Sequence, residues 1–309
     1  MRIGIIGAGA IGLTFASALA PVHDVVVLAR RNTVAETIAR DGVTIESGDG
    51  VRNVGVRATT DAGRLADRDA LIVAVKAYST AEALAPLRGV LGSHTLVATV
   101  QNGIDNAAVA RAALPNARVI AGSTQQGVIR LGDSRVRSVN RGTTIFARDD
   151  AASPTSDDLA EAFIAAGLDA RVGDDVELLL WRKLMIVAVI NPLGALTGRT
   201  NGAVTADPEL VAIARDLCAE AAAVARAEGV DPGEPWDAVA AASQATAANR
   251  NSMLQDIDAG RPTEIDAISG AIVRRARAHG IPVPMTETML HLVRARQAAS
   301  SDDSRGASR

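Results

Sequence analysis

The segment Arg2–Leu28 reads RIGIIGAGAIGLTFASALAPVHDVVVL and predicts the fold of the first half of the chain. A short apolar run, Arg2–Ile6, leads directly into a glycine-rich turn. A helix-forming run, Leu13–Ala20, then separates this turn from a second apolar run, Asp24–Leu28. The order strand, glycine-rich turn, helix and strand is that of a βαβ unit. The segment therefore predicts a Rossmann-type dinucleotide-binding domain built on a parallel sheet.

The glycine-rich turn has the GxGxxG spacing of dinucleotide-binding proteins. Gly7 permits the tight turn, Gly9 lets the backbone approach a pyrophosphate, and Gly12 lets the helix pack closely on the strand. The N-terminus of the following helix faces the anion. The alternative is a glycine-rich turn without a ligand. We expect the whole turn to bind the cofactor: Gly7, Ala8, Gly9, Ala10, Ile11 and Gly12.

The end of the second strand indicates which dinucleotide binds. NAD sites usually carry Asp or Glu at this position to bind the ribose 2′-hydroxyl group. This chain instead has Arg30 and Arg31, with no carboxylate beside them. Two guanidinium groups favour the 2′-phosphate of NADP, and either arginine could bind it. The alternative is that both are solvated residues at the start of a helix.

Two further predicted strands end in polar residues. Leu71–Val75 is followed by Lys76, and Thr95–Val100 is followed shortly by Asn102 and Gly103. Residues beyond the carboxyl ends of parallel strands point into the ligand crevice. We therefore predict that Lys76 binds the cofactor and that Asn102 binds the cofactor or the substrate. The alternatives are a solvated lysine and a plain Asn-Gly turn.

The remaining pattern predicts an all-α C-terminal domain after the Rossmann-type domain. Val119–Ala121 reads as a further strand, and Val136–Val139 with Thr143–Phe146 reads as an antiparallel hairpin at the sheet edge. We expect an NADP-binding domain at residues 1–173, a helical substrate and dimerisation domain at 174–299, and a disordered tail at 300–309. The predicted helices are Leu178–Leu196 (kinked or broken near Pro192), Glu209–Glu228, Trp236–Asn249, Thr263–His279 and Pro284–Gln297.

The first of these helices contains an unusual lysine. Trp181–Leu196 reads WRKLMIVAVINPLGAL, an apolar run with one cation, Lys183, and one amide, Asn191. On a helix these residues and Val187 lie on one stripe, because they are four residues apart. A lysine in an apolar helix is costly unless it has a partner or a chemical role. A cationic acid and an amide on one wall of a cleft would suit a carbonyl reductase.

The segment before the fourth predicted helix supplies a candidate partner for Lys183. Thr263 and Asp266 can form a capping box at the start of that helix. This leaves Glu264 in the first turn without a structural duty, and its carboxylate could pair with Lys183. The alternative is an exposed first-turn acid that interacts favourably with the helix dipole.

Together these motifs make the chain resemble the ketopantoate reductase (2-dehydropantoate 2-reductase) family over nearly its whole length. The matching pieces are GAGAIG at 7–12, VKA at 75–77, QNG at 101–103, WRKL at 181–184, NPL at 191–193, NG at 201–202, SMLQD at 252–256, TEID at 263–266 and GIPVP at 280–284.

The resemblance implies NADPH-dependent reduction of ketopantoate to pantoate, on the route to pantothenate and coenzyme A. It implies that Lys183 is the general acid that protonates the ketone oxygen. Glu264 would position this lysine and contact the cofactor, while Lys76 and Arg31 would bind NADPH. The implied substrate ligands besides Lys183 are Asn102, Asn191, Asn201 and Ser252.

The chain departs from the family pattern at Val187, where the family usually has an asparagine four residues after the lysine. Loss of this amide would leave a buried substrate oxygen less well satisfied, at a cost of about 1–3 kcal/mol. Three functions stay open: ketopantoate reduction, NADP-dependent reduction of a more apolar 2-oxo acid with the same lysine chemistry, and non-catalytic NADP-binding regulation. Lys183 and Glu264 argue against the third, because a regulator has no use for a proton donor.

Composition limits the partners. The net charge is −3, from 32 basic and 35 acidic residues, so nucleic acid and anionic membranes are not expected as partners. A single cysteine, Cys218, excludes an intrachain disulfide, and no metal-ligand spacing is present. Residues 1–20 resemble a signal peptide, but glycines interrupt their apolar run, and no apolar stretch reads as a persuasive membrane span. We therefore expect a cytoplasmic protein whose alanine-rich helical domain could form a homodimer.

Overall fold

The computed structural model describes residues 1–306, which form two compact units. The first unit contains residues 1–101 and 105–176, and the second contains residues 102–104 and the described residues from Glu177 onward. Within residues 1–306 every strand lies in the first unit, and the second is helical. The predicted α/β class is confirmed. The boundary lies after Val176 rather than after residue 173, and residues 102–104 belong to the second unit.

The first unit carries strands and five α-helices, joined by short 3₁₀ turns. The strands are β1 (Arg2–Ile6), β2 (Asp24–Leu28), β3 (Val43–Ser47), β4 (Gly50–Val54), β5 (Arg57–Thr59), β6 (Ala70–Val73), β7 (Leu96–Thr99), β8 (Arg118–Thr124), β9 (Gly127–Arg130), β10 (Arg135–Asn140), β11 (Thr144–Ala147) and β12 (Ala170–Gly173). The helices are α1 (Ala10–Leu19), α2 (Asn32–Asp41), α3 (Thr80–Leu84), α4 (Asn106–Ala113) and α5 (Ser156–Ala165).

The main sheet has eight strands in the order β5-β2-β1-β6-β7-β8-β11-β12. The strands from β5 to β8 pair in parallel, and β11 pairs antiparallel to β8. The residues of β6 and β7 are all buried, as expected of central strands covered on both faces. The chain reverses its direction of winding between β1 and β6, and ligands of such sheets bind beyond the carboxyl ends of the strands at this point.

The predicted edge hairpin is wrong, because its two strands belong to different sheets. β10 pairs with β3 and β9 in a separate four-stranded sheet, whereas β11 pairs with β8 in the main sheet. Gly142 lies between β10 and β11, where the chain passes so close to Gln125 that a Cβ atom would lie 2.3 Å from its carbonyl oxygen. The glycine that suggested a hairpin turn thus permits a crossing between sheets. β3, β4, β5, β9 and β12 were not predicted.

The second unit consists of helices: α6 (Val176–Thr197), α7 (Ala203–Ala206), α8 (Pro208–Ala227), α9 (Pro235–Ala245), α10 (Ser252–Asp258), α11 (Ser269–His279) and α12 (Pro284–Gly306). The expected break near Pro192 does not occur, since α6 continues through this residue. Proline removes one backbone donor, but apolar residues on both sides of it, such as Leu184 and Ala195, are buried in the core of this unit. This packing holds the helix together.

The predicted capping box at Thr263 and Asp266 is also wrong. Residues 264–268 form a turn, and α11 begins only at Ser269. Before this turn lies α10, which was not predicted and whose N-cap is Asn251. At the C-terminus α12 runs to Gly306, so residues 300–306 are helical rather than disordered as expected, and the predicted tail at 307–309 lies outside the described residues.

One helix of the described chain, α6, is long and apolar enough to span a membrane by length and composition, contrary to our reading of the sequence. However, 61% of its most apolar window is buried inside the fold. Trp181, Leu184 and Met185 are each 1% exposed and belong to the core of the second unit. The helix therefore has the burial of a core helix in a soluble protein.

Candidate active site

The turn between β1 and α1 fits a dinucleotide. Gly7 has φ +110°, a left-handed conformation that favours glycine, and a Cβ atom on Gly12 would lie 1.9 Å from the Gly7 carbonyl oxygen. A Cβ atom on Gly9 would meet nothing closer than 3.7 Å, so the space beside its backbone is open. The N-cap residue Gly9 offers no side-chain cap, and the first N–H groups of α1 are available to a phosphate. Ala8, Ala10 and Ile11 are half-buried in the same turn.

The arginine corner, which is Arg30 and Arg31 after β2, makes contacts that the sequence did not predict. Arg30 is exposed, and Arg31 is the N-cap residue of α2. The Arg31 Nη2 atom lies 3.0 Å from Asp133 Oδ1, and Arg130 Nη2 lies 2.8 Å from the same oxygen. Arg130 and Asp133 come from the smaller sheet and its β9–β10 connection. Sequence reasoning missed both, since nothing local relates this connection to β2.

Lys76 lies beyond the carboxyl end of β6, which ends at Val73 rather than at the predicted Val75. It is half-buried and is the N-cap residue of a 3₁₀ turn, Ala77–Ser79. Because β6 neighbours β1 in the sheet, the carboxyl end that carries Lys76 is next to the one that carries Gly7. Indeed, Val75 and the Gly7 turn are so close that a Cβ atom on Gly7 would lie 2.7 Å from Val75 Cγ1.

The second unit brings three predicted site residues together: Asn102, Lys183 and Glu264. The Asn102 Nδ2 group donates a hydrogen bond of 3.2 Å to Glu264 Oε2. The Glu264 residue is only 6% exposed. Gly103 has φ +95°, and a Cβ atom there would lie 2.6 Å from the Ala267 carbonyl oxygen, so this loop packs tightly on the turn that carries Glu264.

The pKa of Lys183 is lower than that of an ordinary lysine. Burial lowers the pKa of its ammonium group to about 8, and the negative charge of Glu264 opposes this shift. The group therefore releases its proton far more readily than an ordinary lysine and still carries its charge at neutral pH. These are the properties of a general acid that works near physiological pH.

The other predicted substrate ligands differ in their surroundings. Asn191 is 5% exposed, and its side chain makes no hydrogen bond within residues 1–306. It lies about 12 Å along the α6 axis from Lys183. Asn201 donates from Nδ2 to Thr246 Oγ1 at 2.9 Å, while its Oδ1 atom is buried without a partner in the described chain. Ser252 is exposed at the first position of α10.

Asn251 beside Ser252 was missed by the sequence reading and is the residue that fixes α10. Its Oδ1 accepts a 3.0 Å hydrogen bond from the Leu254 N–H group, and its Nδ2 donates to the Ile190 carbonyl oxygen at 3.2 Å. A Cβ atom on Gly194 would lie 2.2 Å from Asn251 Nδ2. Asn251 thus ties the start of α10 to α6. An N-cap asparagine before an apolar run was the available signal.

Two family models match the sequence. The model described as ketopantoate reductase PanE/ApbA matches residues 3–150, and that described as ketopantoate reductase PanE/ApbA C terminal matches residues 175–297. The chain belongs to the ketopantoate reductase family. The resemblance drawn from the motifs is thereby confirmed. Membership of this family makes the protein an oxidoreductase for a 2-oxo acid, with a nicotinamide dinucleotide as cofactor.

Individual relatives span the whole chain. The 2-dehydropantoate 2-reductase of Halobacterium salinarum is 34% identical over 303 residues, which cover 96% of this chain and 99% of the relative. A PanE/ApbA family ketopantoate reductase structure from Ralstonia eutropha is 31% identical with a TM-score of 0.90, covering 97% of this chain and 99% of its own. A D-mandelate dehydrogenase structure with NADH and anilino(oxo)acetate also has a TM-score of 0.90, with coverage of 97% and 99%, but its 22% identity shows the shared fold alone.

Among residues 1–306 there is no group of three or more His, Cys, Asp or Glu side chains that could hold a metal ion. The polar groups found in the second unit are instead an ammonium group, a carboxylate and amides. The ammonium group can donate a proton and the amides can donate hydrogen bonds to a carbonyl oxygen, whereas the ionised carboxylate only accepts.

Proposed function

We propose that this ketopantoate reductase family member reduces ketopantoate to pantoate with NADPH, using Lys183 as the general acid. The observation that carries the proposal is the group Asn102, Glu264 and Lys183. In this group a buried carboxylate accepts a hydrogen bond from an amide and acts electrostatically on a lysine whose pKa is lowered to about 8. The names of the full-length relatives supply the substrate.

Each residue of this group has a distinct task in the reaction. When bound, the reduced nicotinamide supplies the hydride that adds to the ketone carbon. Lys183 donates its proton to the ketone oxygen as negative charge develops there, which stabilises the transition state. Glu264 keeps the ammonium group charged before transfer, since its charge raises the lysine pKa against the effect of burial. Asn102 orients Glu264 by donating to its Oε2 atom.

The arginine corner supports NADPH as the specific cofactor. No carboxylate directly follows β2, and Arg31 and Arg130 meet at a single oxygen of Asp133. All three side chains are at least one-third exposed, so this ion pair is weak in water and its guanidinium groups are accessible to a phosphate. Of the two predicted arginines we favour Arg31, because its guanidinium group lies with that of Arg130 at Asp133.

We expect Arg31→Ala to weaken NADPH binding by at least about tenfold, because a charge-assisted hydrogen bond to the phosphate is lost. NADH binding should not change. Fluorescence titration of both cofactors measures this difference. Arg137→Ala is the matched control, since Arg137 is similarly exposed and ion-paired, with Glu46 at 2.7 Å. Equal affinities of the unmodified protein for NADPH and NADH would refute the assignment.

A pH profile tests the acid directly. Lys183 must be protonated to act, so kcat/KM for reduction should be constant below the lysine pKa of about 8 and fall as the pH rises through that value. The expected slope above it is about tenfold per pH unit. Steady-state rates with saturating NADPH give the profile. A flat profile across pH 7 to 10, roughly the range in which such a lysine titrates, would exclude Lys183 as the acid.

Val187 favours a second candidate function, the reduction of a more apolar 2-oxo acid. It is half-buried and packs against the core of the second unit, as Ile104 also does. The side chain offers no hydrogen bond at the position where the family usually has an amide. Asn191 and Asn102 still provide amides, and for this reason ketopantoate remains our first proposal.

A panel of 2-oxo acids distinguishes the two substrates. We expect ketopantoate to give the highest kcat/KM with NADPH, and Val187→Asn to change that value by less than about threefold, because the remaining amides already satisfy the substrate. The second candidate is correct if an apolar 2-oxo acid is preferred and Val187→Asn improves ketopantoate turnover by about tenfold. A tenfold gain is what one recovered hydrogen bond would give, about 1.4 kcal/mol. Val189→Thr, a buried change on the same helix, controls for altered packing.

The same residues argue against a regulator that binds NADP without catalysis. A binding protein would gain nothing from a lysine held near pKa 8, since a buried cation costs stability. We also propose a cytoplasmic location, which is supported by the lone cysteine and by the burial of α6 in the second unit.

A further inference from the structure

We propose that α12 is the positioning element for the catalytic carboxylate, and that Gln297 is a positioning residue for Glu264. This inference rests on the proposed role of Lys183 and Glu264. The geometry that carries it is a set of contacts from α12 to the residues on either side of Glu264. These contacts replace the capping box that the sequence suggested.

The turn that carries Glu264 has little structure of its own. It precedes α11, and the Glu264 carbonyl oxygen accepts hydrogen bonds from the N–H groups of Ala267 at 3.0 Å and Ile268 at 3.1 Å. On the N-terminal side the local contact is a longer one, in which the Thr263 hydroxyl oxygen accepts from the Ile265 N–H group at 3.4 Å. The residue on that side is Thr263, which is 4% exposed.

Gln297 fixes Thr263 with two hydrogen bonds to one oxygen atom. Its Oε1 accepts from the Thr263 backbone N–H group at 2.7 Å and from the Thr263 hydroxyl group at 2.9 Å. Both donors are buried, so removing the acceptor would leave them unsatisfied at a cost of about 1–3 kcal/mol each. The backbone bond restrains the Pro262–Thr263 peptide, one residue before Glu264.

Arg294 holds the other side of the turn, one helical turn earlier on α12. Its Nε atom donates to Asp266 Oδ1 at 2.9 Å. The two side chains are 48% and 59% exposed, so this ion pair is worth little compared with the buried bonds of Gln297. Gln297 is therefore the contact that decides where Glu264 lies.

A displaced Glu264 has a specific consequence for Lys183. Asn102 bonds Glu264 at 3.2 Å, and the negative charge of Glu264 is what opposes the fall in the Lys183 pKa. If the turn moves, this opposing effect weakens and the Lys183 pKa falls further. The alkaline limb of the activity profile then moves to lower pH. A contact that served only stability would not move that limb.

The test compares Gln297→Ala with Gln297→Glu, which keeps an acceptor oxygen at the same reach. We expect Gln297→Ala to lower kcat by about tenfold or more, since small misplacements of catalytic groups have large effects. The KM for NADPH should stay unchanged and the alkaline limb should move to lower pH. Gln297→Glu should restore both kcat and the position of the limb. Thr263→Val removes the hydroxyl group, which donates to Gln297 and accepts from the Ile265 N–H group, but keeps the backbone bond to Gln297. It should show a smaller change in the same direction and serves if Gln297→Ala does not fold.

Arg277→Ala is the matched control. It removes another contact between α11 and α12, the 3.0 Å pair of Arg277 with Glu287, without touching the Glu264 turn. The inference is overturned if folded Gln297→Ala matches Arg277→Ala in kcat and pH profile, or if Gln297→Glu is as impaired as Gln297→Ala. Failure of the proposed function would look different, because Lys183→Ala would then retain full turnover.

Discussion

We expect Lys183→Ala to lower kcat by at least about 100-fold, the usual contribution of a positioned general acid, while NADPH still binds. The proposed cofactor residues, Gly7–Gly12, Arg31 and Lys76, belong to the first unit, whereas Lys183 belongs to the second. Loss of the ammonium group removes both the proton and the positive charge that stabilise the developing alkoxide. Stopped-flow or steady-state NADPH oxidation gives kcat, and fluorescence titration gives the cofactor affinity.

Two further variants separate the proton from the charge. Lys183→Arg keeps a cation, but a guanidinium group does not release its proton, so most of the activity should stay lost. Arg182→Ala is the matched control, because Arg182 is the neighbouring cation on the same helix and is exposed. Turnover of Lys183→Ala close to that of Arg182→Ala would remove the proposed acid.

Local patterns were sufficient to predict the elements on which this chemistry depends. The GxGxxG turn between two apolar runs predicted β1, α1 and β2, because each glycine has a steric duty that depends only on its immediate neighbours. The apolar run of α6 likewise identified Lys183 without knowledge of its surroundings. Both features depend on the spacing of nearby residues, which can be read directly from the sequence.

The wrong predictions share a different physical origin. Gly142 was taken as a hairpin turn, but its role is to let the chain pass Gln125, which is remote in sequence. Thr263 was taken as a helix cap because a capping box requires only local residues, yet its hydroxyl group bonds to Gln297 on α12. Each residue fits a local motif but also contacts a residue that is distant in sequence, and only the folded chain shows that contact.

The same distinction applies to the candidate site. The sequence left two interpretations of Glu264 open: a carboxylate paired with Lys183, or an exposed acid in the first turn of a helix. The same sequence pattern fits both. The structure buries Glu264 and gives it Asn102 as a donor. The contact of Asp133 with Arg31 was not predicted, because it depends on a second sheet in which β10 pairs with β3, a segment remote in sequence.

The second large effect concerns the glycine-rich turn, where substitutions at two glycines should have different consequences. In Gly12→Ala the new Cβ atom would lie 1.9 Å from the Gly7 carbonyl oxygen, which is backbone and cannot rotate away. We expect a loss of about 3 kcal/mol or more, the upper range for overpacking. That corresponds to a fall of roughly 6–12 °C in the Tm of the first unit.

Gly9→Ala is the matched variant, with the opposite pattern. Its Cβ atom meets nothing closer than 3.7 Å and Gly9 does not have a positive φ, so the Tm should stay unchanged. The methyl group would instead occupy the space beside the backbone that a pyrophosphate needs, and NADPH affinity should fall by at least about tenfold. Thermal unfolding without cofactor and NADPH titration separate the two effects. Full NADPH affinity in Gly9→Ala would mean that the dinucleotide does not approach this turn.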